Sequence, residues 1–507
     1  MADLQTTHSF DDQLFSRTAG APLVPGNAVR LLRDAAENYP AWLEAIRSAR
    51  RSVHFENYIF HDDIVGRRFA NALREKAQEK VPVRVVYDWF GSLGNAFEGF
   101  WRHLRESGVD VRCYNRPRLD QPLGWIGRDH RKCLVVDGQI AFVTGLCVGR
   151  MWEGAPERGL AGWRDTGVEV RGPAVAAVAH AFADTWAATG EPLAPDEVVA
   201  PDLPAAGDLD VRVVASTPGT AGLYRLDPVV ASLARRTLWL TDAYFAGTWS
   251  YVASLRVAAE DGVDVRLLVP GAGSDLPLMR AVSRAGYRAL LEGGVRVYEW
   301  NGPMLHAKTA VADARWARVG STNLNLASWM GNRELDVVVE NAAFGRRMEE
   351  MFEDDLVNST EIVLRRSTRL HPAGGVRVPR ARGAGGRGSA TRAAAGALRF
   401  GNALGSVLTA RRVHGPAERW LMAEGGLLLS LLAGVGFVWP RLLAWPLAAF
   451  SLWAGLALLA RAARRRGTTL PFASPAAASS SAPRHAVDPS LEGFTRDGPQ
   501  VSKRRAM

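Results

Sequence analysis

The chain has 507 residues, of which 47% are hydrophobic, so it is long enough for two or three domains with apolar cores. Its formal net charge of +10 is unevenly distributed. Residues 1–364 carry 40 Lys and Arg against 47 Asp and Glu, a net charge of −7, whereas residues 365–419 carry 12 Arg and one Glu, a net charge of +11. This acidic body argues against a nucleic-acid groove over the whole protein. The three cysteines have no metal-ligand spacing, and we expect neither a metal nor a cofactor.

The predicted elements fall into two α/β halves followed by a C-terminal region of different composition. In chain order we predict an N-terminal tail (1–21), a first domain (22–189), a Pro-rich linker (190–209), a second domain (210–364), a basic disordered tether (365–419), a transmembrane helical hairpin (420–461) and a disordered basic tail (462–507). Apolar periodicity predicts helices over residues 34–49, 64–77 and 276–291. Runs of β-forming residues that end at Asp-Gly or Asp-Ala predict strands entering hairpin turns at 133–138 and 309–314.

One short pattern occurs twice, 176 residues apart, at the start of these two strands. It reads His-x-Lys, four residues and Asp: His130, Lys132 and Asp137, then His306, Lys308 and Asp313. Because strand side chains alternate, the His and the Lys of each copy point to the same face. The two aspartates have two open interpretations, as catalytic groups or as turn formers.

The pattern belongs to a longer internal repeat. Residues 83–87 resemble residues 265–269, residues 56–58 (Glu-Asn-Tyr) match 242–244 (Asp-Ala-Tyr), and residues 164–168 match 333–337. We therefore predict two duplicated mixed-sheet domains that pack about a pseudo-two-fold axis, with the two His-Lys pairs facing each other.

These residue types suit phosphodiester chemistry without a metal. One imidazole is a nucleophile toward phosphorus, a second can protonate the departing alkoxide, and two lysines can neutralise the phosphoryl oxygens. A carboxylate can hold each histidine in one tautomer, and the candidates are Asp165 and Glu334. Ser321 and Asn323 can supply neutral hydrogen-bond donors. We place three further residues among those that support the site or bind substrate: Glu56, Tyr58 and Tyr244.

The two motifs resemble the signature of the phospholipase D superfamily, H-x-K-x4-D-x6-G-S-x-N. The second half matches it in full, through Gly320, Ser321 and Asn323. The first half matches the His, Lys and Asp but has three other residues where the family often has Gly, Ser and Asn: Thr144, Gly145 and Cys147. Within the superfamily, residues 26–34, 45–50, 56–60, 163–167 and 172–175 are most similar to bacterial cardiolipin synthases. The resemblance covers roughly residues 22–362. It implies phosphatidyl transfer to a lipid alcohol, with His130 as the nucleophile and His306 as the acid and base.

A membrane attachment is predicted near the C-terminus. Residues 425–440 and 442–460 are uncharged and apolar, and arginines flank both ends. Two short membrane helices joined at 439–441 fit this pattern, and a single span, a re-entrant hairpin or a buried soluble hairpin are the alternatives. The positive-inside rule then places both ends, and the catalytic domains, on the cytoplasmic side of the inner membrane. The N-terminal 18 residues have no pattern of a secretory signal.

The sequence is compatible with three functions. The first is phosphatidyl transfer between phospholipids, with phosphatidylglycerol as the expected substrate. The second is hydrolysis by the same site, with water as the acceptor and phosphatidic acid as the product. The third is a non-lipid role, as a nuclease, another phosphodiesterase or a binding protein with a vestigial site. Two complete His-Lys pairs count against a vestigial site, and the acidic body and membrane segment count against a nuclease. No oligomeric state is predicted.

Overall fold

The computed structural model describes residues 10–117, 127–197, 203–364 and 370–372, together with scattered helical positions between 430 and 456. Its strands in the first half are β1 (Val24–Arg33), β2 (Val53–Asn57), β3 (Val83–Asp88), β4 (Asp110–Tyr114), β5 (Lys132–Val136), β6 (Ile140–Thr144), β7 (Gly154–Ala155), β8 (Leu160–Ala161) and β9 (Thr166–Arg171). Those of the second half are β10 (Leu209–Ser216), β11 (Thr237–Thr241), β12 (Asp264–Pro270), β13 (Arg296–Trp300), β14 (Thr309–Ala312), β15 (Trp316–Gly320), β16 (Glu334–Glu340), β17 (Ser359–Leu364) and β18 (Leu370–Pro372).

The helices of the first half are α1 (Phe10–Ala19), α2 (Asp34–Ser48), α3 (Ile64–Gln78), α4 (Trp89–Ser92), α5 (Glu98–Glu106), α6 (Arg150–Glu153) and α7 (Val175–Ala188). Those of the second half are α8 (Gly222–Leu233), α9 (Trp249–Glu260), α10 (Pro277–Glu292) and α11 (Ala342–Val357), with one π-helical turn at Ala327–Gly331. The helices predicted over 34–49, 64–77 and 276–291 correspond to α2, α3 and α10.

Sixteen strands form one continuous sheet that consists of two copies of the same arrangement. The order β1-β9-β6-β5-β2-β3-β4 in the first half is repeated as β10-β16-β15-β14-β11-β12-β13 in the second. The copies meet where β1 pairs with β10 antiparallel, and β17 and β18 extend the second copy at its edge. In each copy the three outermost repeated strands are parallel and the rest are antiparallel. The predicted duplicated mixed α/β fold is therefore confirmed.

The strands divide their side chains between a central core and two outer cores. On β5, Cys133 and Val135 belong to the central core, whereas Leu134 and Val136 belong to the outer core of the first half. The central core also contains the apolar faces of α7 and α11, and it unites residues of both halves. Helices α2, α3 and α5 cover the first outer core, and α8, α9 and α10 cover the second. This burial on both faces explains why the central strands read as continuous apolar runs.

The strand register corrects one detail of the internal repeat. The partner of Lys132 on the neighbouring strand is Asn57. In the second half Thr241 pairs with Thr309, so the next residue, Asp242, comes opposite the lysine of the second motif. Asp242 therefore occupies the place of Asn57, not that of Glu56, and the predicted alignment of residues 56–58 with 242–244 is wrong by one residue. Such a shift exchanges the two faces of a strand.

The predicted N-terminal tail contains a helix that packs on the second half of the fold. Ala19 and Ala21 share the second outer core with Leu223 and Leu226 of α8. The hydroxyl of Ser16 accepts a hydrogen bond from the buried guanidinium of Arg212 at 2.6 Å. Residues before 10 lie outside the described residues, and the predicted domain boundaries stay predictions.

The predicted tether and basic tail lie outside the described residues, and so does most of the predicted transmembrane hairpin. Among the residues that the structure describes, no helix has both the length and the apolar character needed to cross a membrane.

Candidate active site

The two motif histidines lie two residues before β5 and three residues before β14, and each is fixed by the opposite half of the protein. The backbone N–H of His130 donates to the carbonyl of Arg333 at 2.9 Å, and that of His306 donates to the carbonyl of Arg164 at 2.7 Å. Both imidazoles line one cavity of about 400 Å³. The site therefore requires both halves of the chain.

A carboxylate from the opposite half contacts each histidine. His130 Nδ1 lies 2.9 Å from Oε2 of Glu334, which begins β16, and His306 Nδ1 lies 2.7 Å from Oδ2 of Asp165, which directly precedes β9. Both carboxylates are fully buried. A carboxylate at this distance holds the proton on Nδ1, so Nε2 is the ring nitrogen that carries no proton in the neutral imidazole.

The two motif lysines are buried beside the histidines. Lys132 Nζ donates to the carbonyl of His130 at 2.6 Å, and Lys308 Nζ donates to the carbonyl of His306. Lys308 Nζ also lies 3.0 Å from His306 Nδ1, but that nitrogen donates its proton to Asp165 and cannot accept a second one. Two buried lysine side chains thus lie beside the imidazoles, although neither is among the residues that line the cavity.

Burial and charge set the protonation states of the second motif. Burial, followed by the charge of Lys308, lowers the pKa of His306 to about 3, although Asp165 opposes the shift. Burial works against ionisation of Asp165, but the neighbouring His306 and Lys308 hold its pKa below the usual value. Burial also lowers the pKa of Lys308 to about 8. At neutral pH the second motif therefore combines a neutral imidazole, a carboxylate and an ammonium group.

The carboxylate of Glu334, which contacts His130, accepts hydrogen bonds from further side chains. Ser321 Oγ donates to Glu334 Oε2 at 2.6 Å, and Asn332 Nδ2 donates to Oε1 at 3.0 Å. Burial raises the pKa of Glu334. Ser321 thus supports the carboxylate, whereas Asn323 lines the cavity itself. Asn332 was missed in the sequence because it lies outside the signature.

The second carboxylate is held differently, which explains why the first half departs from the signature. A Cβ on Gly145 would lie 2.1 Å from Oδ1 of Asp165, so a serine does not fit at this position. The indole Nε1 of Trp152 donates to Asp165 Oδ2 at 3.2 Å instead, and its ring lies 5.7 Å from that of His306. No pattern in the sequence pointed to Trp152.

Two tyrosines border the histidines from positions that are not equivalent in the repeat. The ring centroid of Tyr58 lies 4.8 Å from that of His130, and the ring centroid of Tyr244 lies 5.9 Å from that of His306. Both line the cavity. Because the register aligns Asp242 with Asn57, Tyr244 corresponds to Ile59 of the first half.

Glu56 lies away from the cavity. It is the strand partner of Cys133, on the face opposite to Lys132, and the Cys133 thiol donates to its Oε2 at 3.4 Å. The neighbouring Asp129 is also buried, and burial raises its pKa well above the usual value. The structure thus places Glu56 in the central core, where it does not reach the histidines.

The two motif aspartates lie at hairpin turns and do not line the cavity. The carboxylate of Asp137 accepts hydrogen bonds of 2.7 to 3.0 Å from the backbone N–H groups of residues 50–52. That of Asp313 does the same for residues 235–237 at 2.7 to 2.9 Å. Their φ angles are 56° and 54°, in the left-handed region that Asp tolerates better than most residues. Of the two interpretations, this geometry favours turn formation.

The comparisons with known proteins agree with this fold and site. The family model described as "Cardiolipin synthase, PLD-like domain" matches residues 42–149 and 231–356, one match in each half. Cardiolipin synthase A of Pseudomonas fluorescens SBW25 is 33% identical over 371 residues, which cover 71% of this chain and 75% of that protein. Cardiolipin synthase of Staphylococcus aureus Mu50 is 30% identical and covers 69% of this chain and 71% of that protein.

A solved structure shows the same fold. The crystal structure of phosphatidylserine synthase from Haemophilus influenzae Rd KW20 superposes with a TM-score of 0.57 at 14% sequence identity, and covers 70% of this chain and 92% of that chain. A duplicated mixed sheet that brings two His-Lys motifs to one cavity defines the class, the phospholipase D superfamily. Within it, the chain belongs to the cardiolipin synthase family.

Proposed function

We propose that this protein is a phosphatidyltransferase that makes cardiolipin and glycerol from two molecules of phosphatidylglycerol. The observation that carries the proposal is the pairing of His130 and His306 across one cavity, each with a buried lysine and a carboxylate from the opposite half. The relatives that are about one third identical carry the name cardiolipin synthase. A metal is not required by this chemistry, because the lysines supply the positive charge.

In the first step, Nε2 of one histidine attacks the phosphorus of the donor lipid. The bond between phosphorus and the headgroup oxygen breaks, the second histidine gives its proton to that oxygen, and glycerol leaves. The phosphatidyl group is then bound to the first histidine through a P–N bond. By family resemblance the first histidine is His130 and the second is His306.

In the second step, a hydroxyl of the acceptor lipid attacks the same phosphorus. The histidine that has lost its proton takes the hydroxyl proton, the P–N bond breaks, and the first histidine is free again. The acceptor is now joined to the phosphatidyl group, and both imidazoles have their initial protonation states. If water enters instead of the lipid hydroxyl, the same step gives phosphatidic acid.

The electrostatics of the second motif fit a role in proton transfer. His306 is neutral at neutral pH because burial and Lys308 lower its pKa. A phosphodiester anion bound beside the imidazole favours its protonated form, since an opposite charge at close range raises the pKa of a histidine. Substrate binding would thus supply the acid that protonates the leaving group, and Asp165 would stabilise the imidazolium through Nδ1.

The surroundings of the cavity support a lipid substrate. Met151 and Leu326 line the cavity and are each 38% exposed. Leu278 and Met330 lie in segments that contribute lining residues, and they are 38% and 42% exposed. Large exposed apolar side chains around a cavity are typical of a surface that contacts lipid or protein.

We further propose that the protein acts at the inner membrane with its catalytic halves on the cytoplasmic side. The support is the pair of uncharged apolar segments at 425–440 and 442–460 and the arginines that flank them. The basic tract at 365–419 would then attract anionic lipids, at about 1 kcal/mol for each basic side chain near the surface.

Product analysis of histidine variants tests the proposed function. Purified protein is incubated with phosphatidylglycerol vesicles, and the lipids are identified by mass spectrometry. We expect cardiolipin from the unchanged protein and a loss of at least about a hundredfold in His130→Ala and His306→Ala, because each removes a group that forms a bond or moves a proton. His180→Ala is the matched control, since His180 is exposed on α7. Phosphatidic acid without cardiolipin would make water the acceptor, and full activity of either motif variant would refute the two-histidine mechanism.

A further inference from the structure

We propose that Arg128 binds the phosphate of the second phospholipid, so that the cavity holds two lipid phosphates at once. The reacting phosphate contacts the two His-Lys pairs, and the phosphate of the acceptor lipid contacts the guanidinium of Arg128. This inference rests on the proposed function and deepens it, because it assigns a residue that distinguishes a phospholipid acceptor from water or a neutral alcohol.

The backbone directs Arg128 toward the cavity. Its carbonyl accepts from the N–H of Arg333 at 2.8 Å, and the N–H of His130 donates to the carbonyl of Arg333, so the intervening Asp129 forms a β-bridge with Arg333. Side chains alternate along such an extended segment. Asp129 is fully buried in the central core, whereas Arg128 and His130 both line the cavity.

The charge of Arg128 is available to a ligand. Its Cζ lies 4.5 Å from the ring centroid of Phe90, which also lines the cavity, and this distance is that of a cation–π contact. No carboxylate of the described residues forms an ion pair with it. The nearby carboxylate of Asp88 accepts from the N–H groups of Gly91 and Asp129 at 2.8 and 2.9 Å. Burial raises its pKa to about 6 although these hydrogen bonds and the charge of Arg128 oppose the rise, so Arg128 acts on Asp88 at a distance and not through an ion pair.

Arg131, between the histidine and the lysine of the first motif, differs from Arg128 because every nitrogen of its guanidinium donates a hydrogen bond. Arg131 is 1% exposed, and its guanidinium donates to the carbonyls of Ala181, Ser216 and Glu334. Those bonds satisfy backbone groups in the central core and explain Arg131 as a structural residue. Arg128 is partly exposed in the cavity wall and has no comparable set of partners among the residues that the structure describes.

The distance between the two phosphate positions fits the product. Two residues along an extended chain span about 6.6 Å, so the Cα atom of Arg128 lies about that far from the Cα atom of His130. In cardiolipin the two phosphates are joined by a single glycerol, which gives a separation of the same order. The flexible side chain of an arginine and its several N–H donors can therefore reach the second phosphate while the first contacts the imidazoles.

The cavity is asymmetric at this position. In the second half the equivalent residue is Met304, whose carbonyl accepts from the N–H of Arg164 at 2.9 Å as that of Arg128 accepts from Arg333. Met304 is 1% exposed and uncharged. Both halves contribute a His-Lys pair to bind the reacting phosphate. Only the first half has an arginine at this position, which agrees with one additional phosphate, that of the acceptor lipid, in each reaction.

The test compares acceptors that have a phosphate with acceptors that do not. Phosphatidylglycerol vesicles are supplied in buffer with 1-butanol, and cardiolipin, phosphatidylbutanol and phosphatidic acid are measured together. Arg128→Met places the residue of the equivalent position at Arg128. We expect cardiolipin to fall about tenfold or more, since charge-assisted hydrogen bonds to phosphate are lost, while phosphatidylbutanol and phosphatidic acid stay within about twofold of the unchanged protein. Arg128→Lys keeps the charge and should restore most of the cardiolipin.

Arg102→Met is the matched control, because Arg102 is exposed on α5 and does not line the cavity. An equal loss of all three products in Arg128→Met would overturn the inference, since Arg128 would then serve the reacting phosphate or the fold. Unchanged cardiolipin would overturn it as well. If the wild-type protein forms cardiolipin and neither of the other two products, the kinetic constants decide. A higher KM for phosphatidylglycerol in Arg128→Met then supports the inference, whereas a lower kcat with the same KM contradicts it.

Different results would refute the proposed transfer between lipids and the proposed role of Arg128. An unchanged protein that gives phosphatidylbutanol or phosphatidic acid but no cardiolipin would refute the proposed transfer between lipids. An unchanged protein that makes cardiolipin, together with an Arg128→Met variant that makes as much, would refute the role of Arg128 alone.

Discussion

Single residues account for the different surroundings of the two motif histidines. Each motif histidine has a carboxylate on Nδ1, but the two carboxylates have different donors: Ser321 for Glu334 and Trp152 for Asp165. The equivalent of Ser321 is Gly145, where a side chain would collide with Asp165. The two halves therefore reach the same arrangement with different residues, which is why only one of them matches the full signature.

The lowered pKa of His306 leads to a prediction about stability. Its pKa of about 3 in the folded protein lies below the usual value of 6.5, so the unfolded chain binds more protons between these two pH values. The free energy of unfolding should therefore fall as the pH decreases from about 6.5 toward 3. His306→Gln removes the titrating group and should show a smaller fall in denaturant unfolding over this window. An identical pH dependence in both proteins would show that His306 titrates normally.

The sequence predicted the site at this scale as far as its motifs extended. His130, Lys132, His306 and Lys308 follow from a repeated pattern on a strand, and alternation alone places each pair on one face. Trp152, Asn332 and Arg128 could not be predicted, because they reach the cavity from the short helix α6 and from loops whose path depends on the tertiary fold. Glu56 was placed among the supporting residues, but Asn57 is the strand partner of Lys132, so Glu56 points to the opposite face of the sheet.

At the scale of elements, the hairpin turns after β5 and β14 are fixed by the motif aspartates. Asp137 joins the turn to residues 50–52, which precede β2, and Asp313 joins its turn to residues 235–237, at the start of β11. Each carboxylate thus ties together the ends of two adjacent strands, and the His and the Lys of the motif lie at the start of β5 or β14. The spacing of four residues in the signature is the length of strand between the lysine and the turn.

This arrangement predicts a structural effect for Asp137→Ala. The loss of three backbone hydrogen bonds to a carboxylate should reduce the free energy of unfolding by about 1–3 kcal/mol, while kcat of the folded protein changes little. Asp137→Asn keeps an acceptor and tolerates the positive φ, so it should lose less stability. Thermal unfolding and product formation measured below the transition are the two readouts. A normal melting temperature with kcat lowered by a hundredfold would restore the catalytic interpretation.

At the scale of the whole molecule, the duplicated sheet explains why one site arises from two motifs. Each histidine is anchored on the backbone of the opposite half through Arg333 or Arg164. Composition and the internal repeat predicted this architecture, because a duplicated unit with one His-Lys pair in each half requires a shared site. The helix at residues 10–19 was not predicted, since its stability depends on packing against α8.

The apolar rim of the cavity leads to a prediction about membranes. Met330→Glu introduces a charge into the exposed surface beside the cavity, and we expect it to lower activity on phosphatidylglycerol vesicles several-fold because a charge opposes contact with lipid. Activity on a soluble short-chain phosphatidylglycerol should stay unchanged. Val357→Glu is the control, since Val357 is 89% exposed at the end of α11 and does not line the cavity. If Met330→Glu is as active on vesicles as the wild-type protein, the surface around Met330 does not contact the membrane.

The C-terminal region leads to a second prediction at this scale. Removal of residues 415–507 deletes both uncharged segments and should release the protein from membranes into the soluble fraction. Fractionation of cells that express the full and the shortened chain provides the measurement. A shortened protein that sediments with membranes to the same extent would contradict the predicted hairpin as the main attachment.

The configuration at phosphorus tests the central claim, that the phosphatidyl group passes through a histidine of this two-fold site. A donor phosphatidylglycerol with a phosphorothioate of known configuration is converted in the presence of unlabelled acceptor, and the configuration of the product is determined by 31P NMR. Two successive in-line displacements, one at the histidine and one at the acceptor hydroxyl, predict retention. Inversion would show a single direct displacement and would contradict the covalent mechanism.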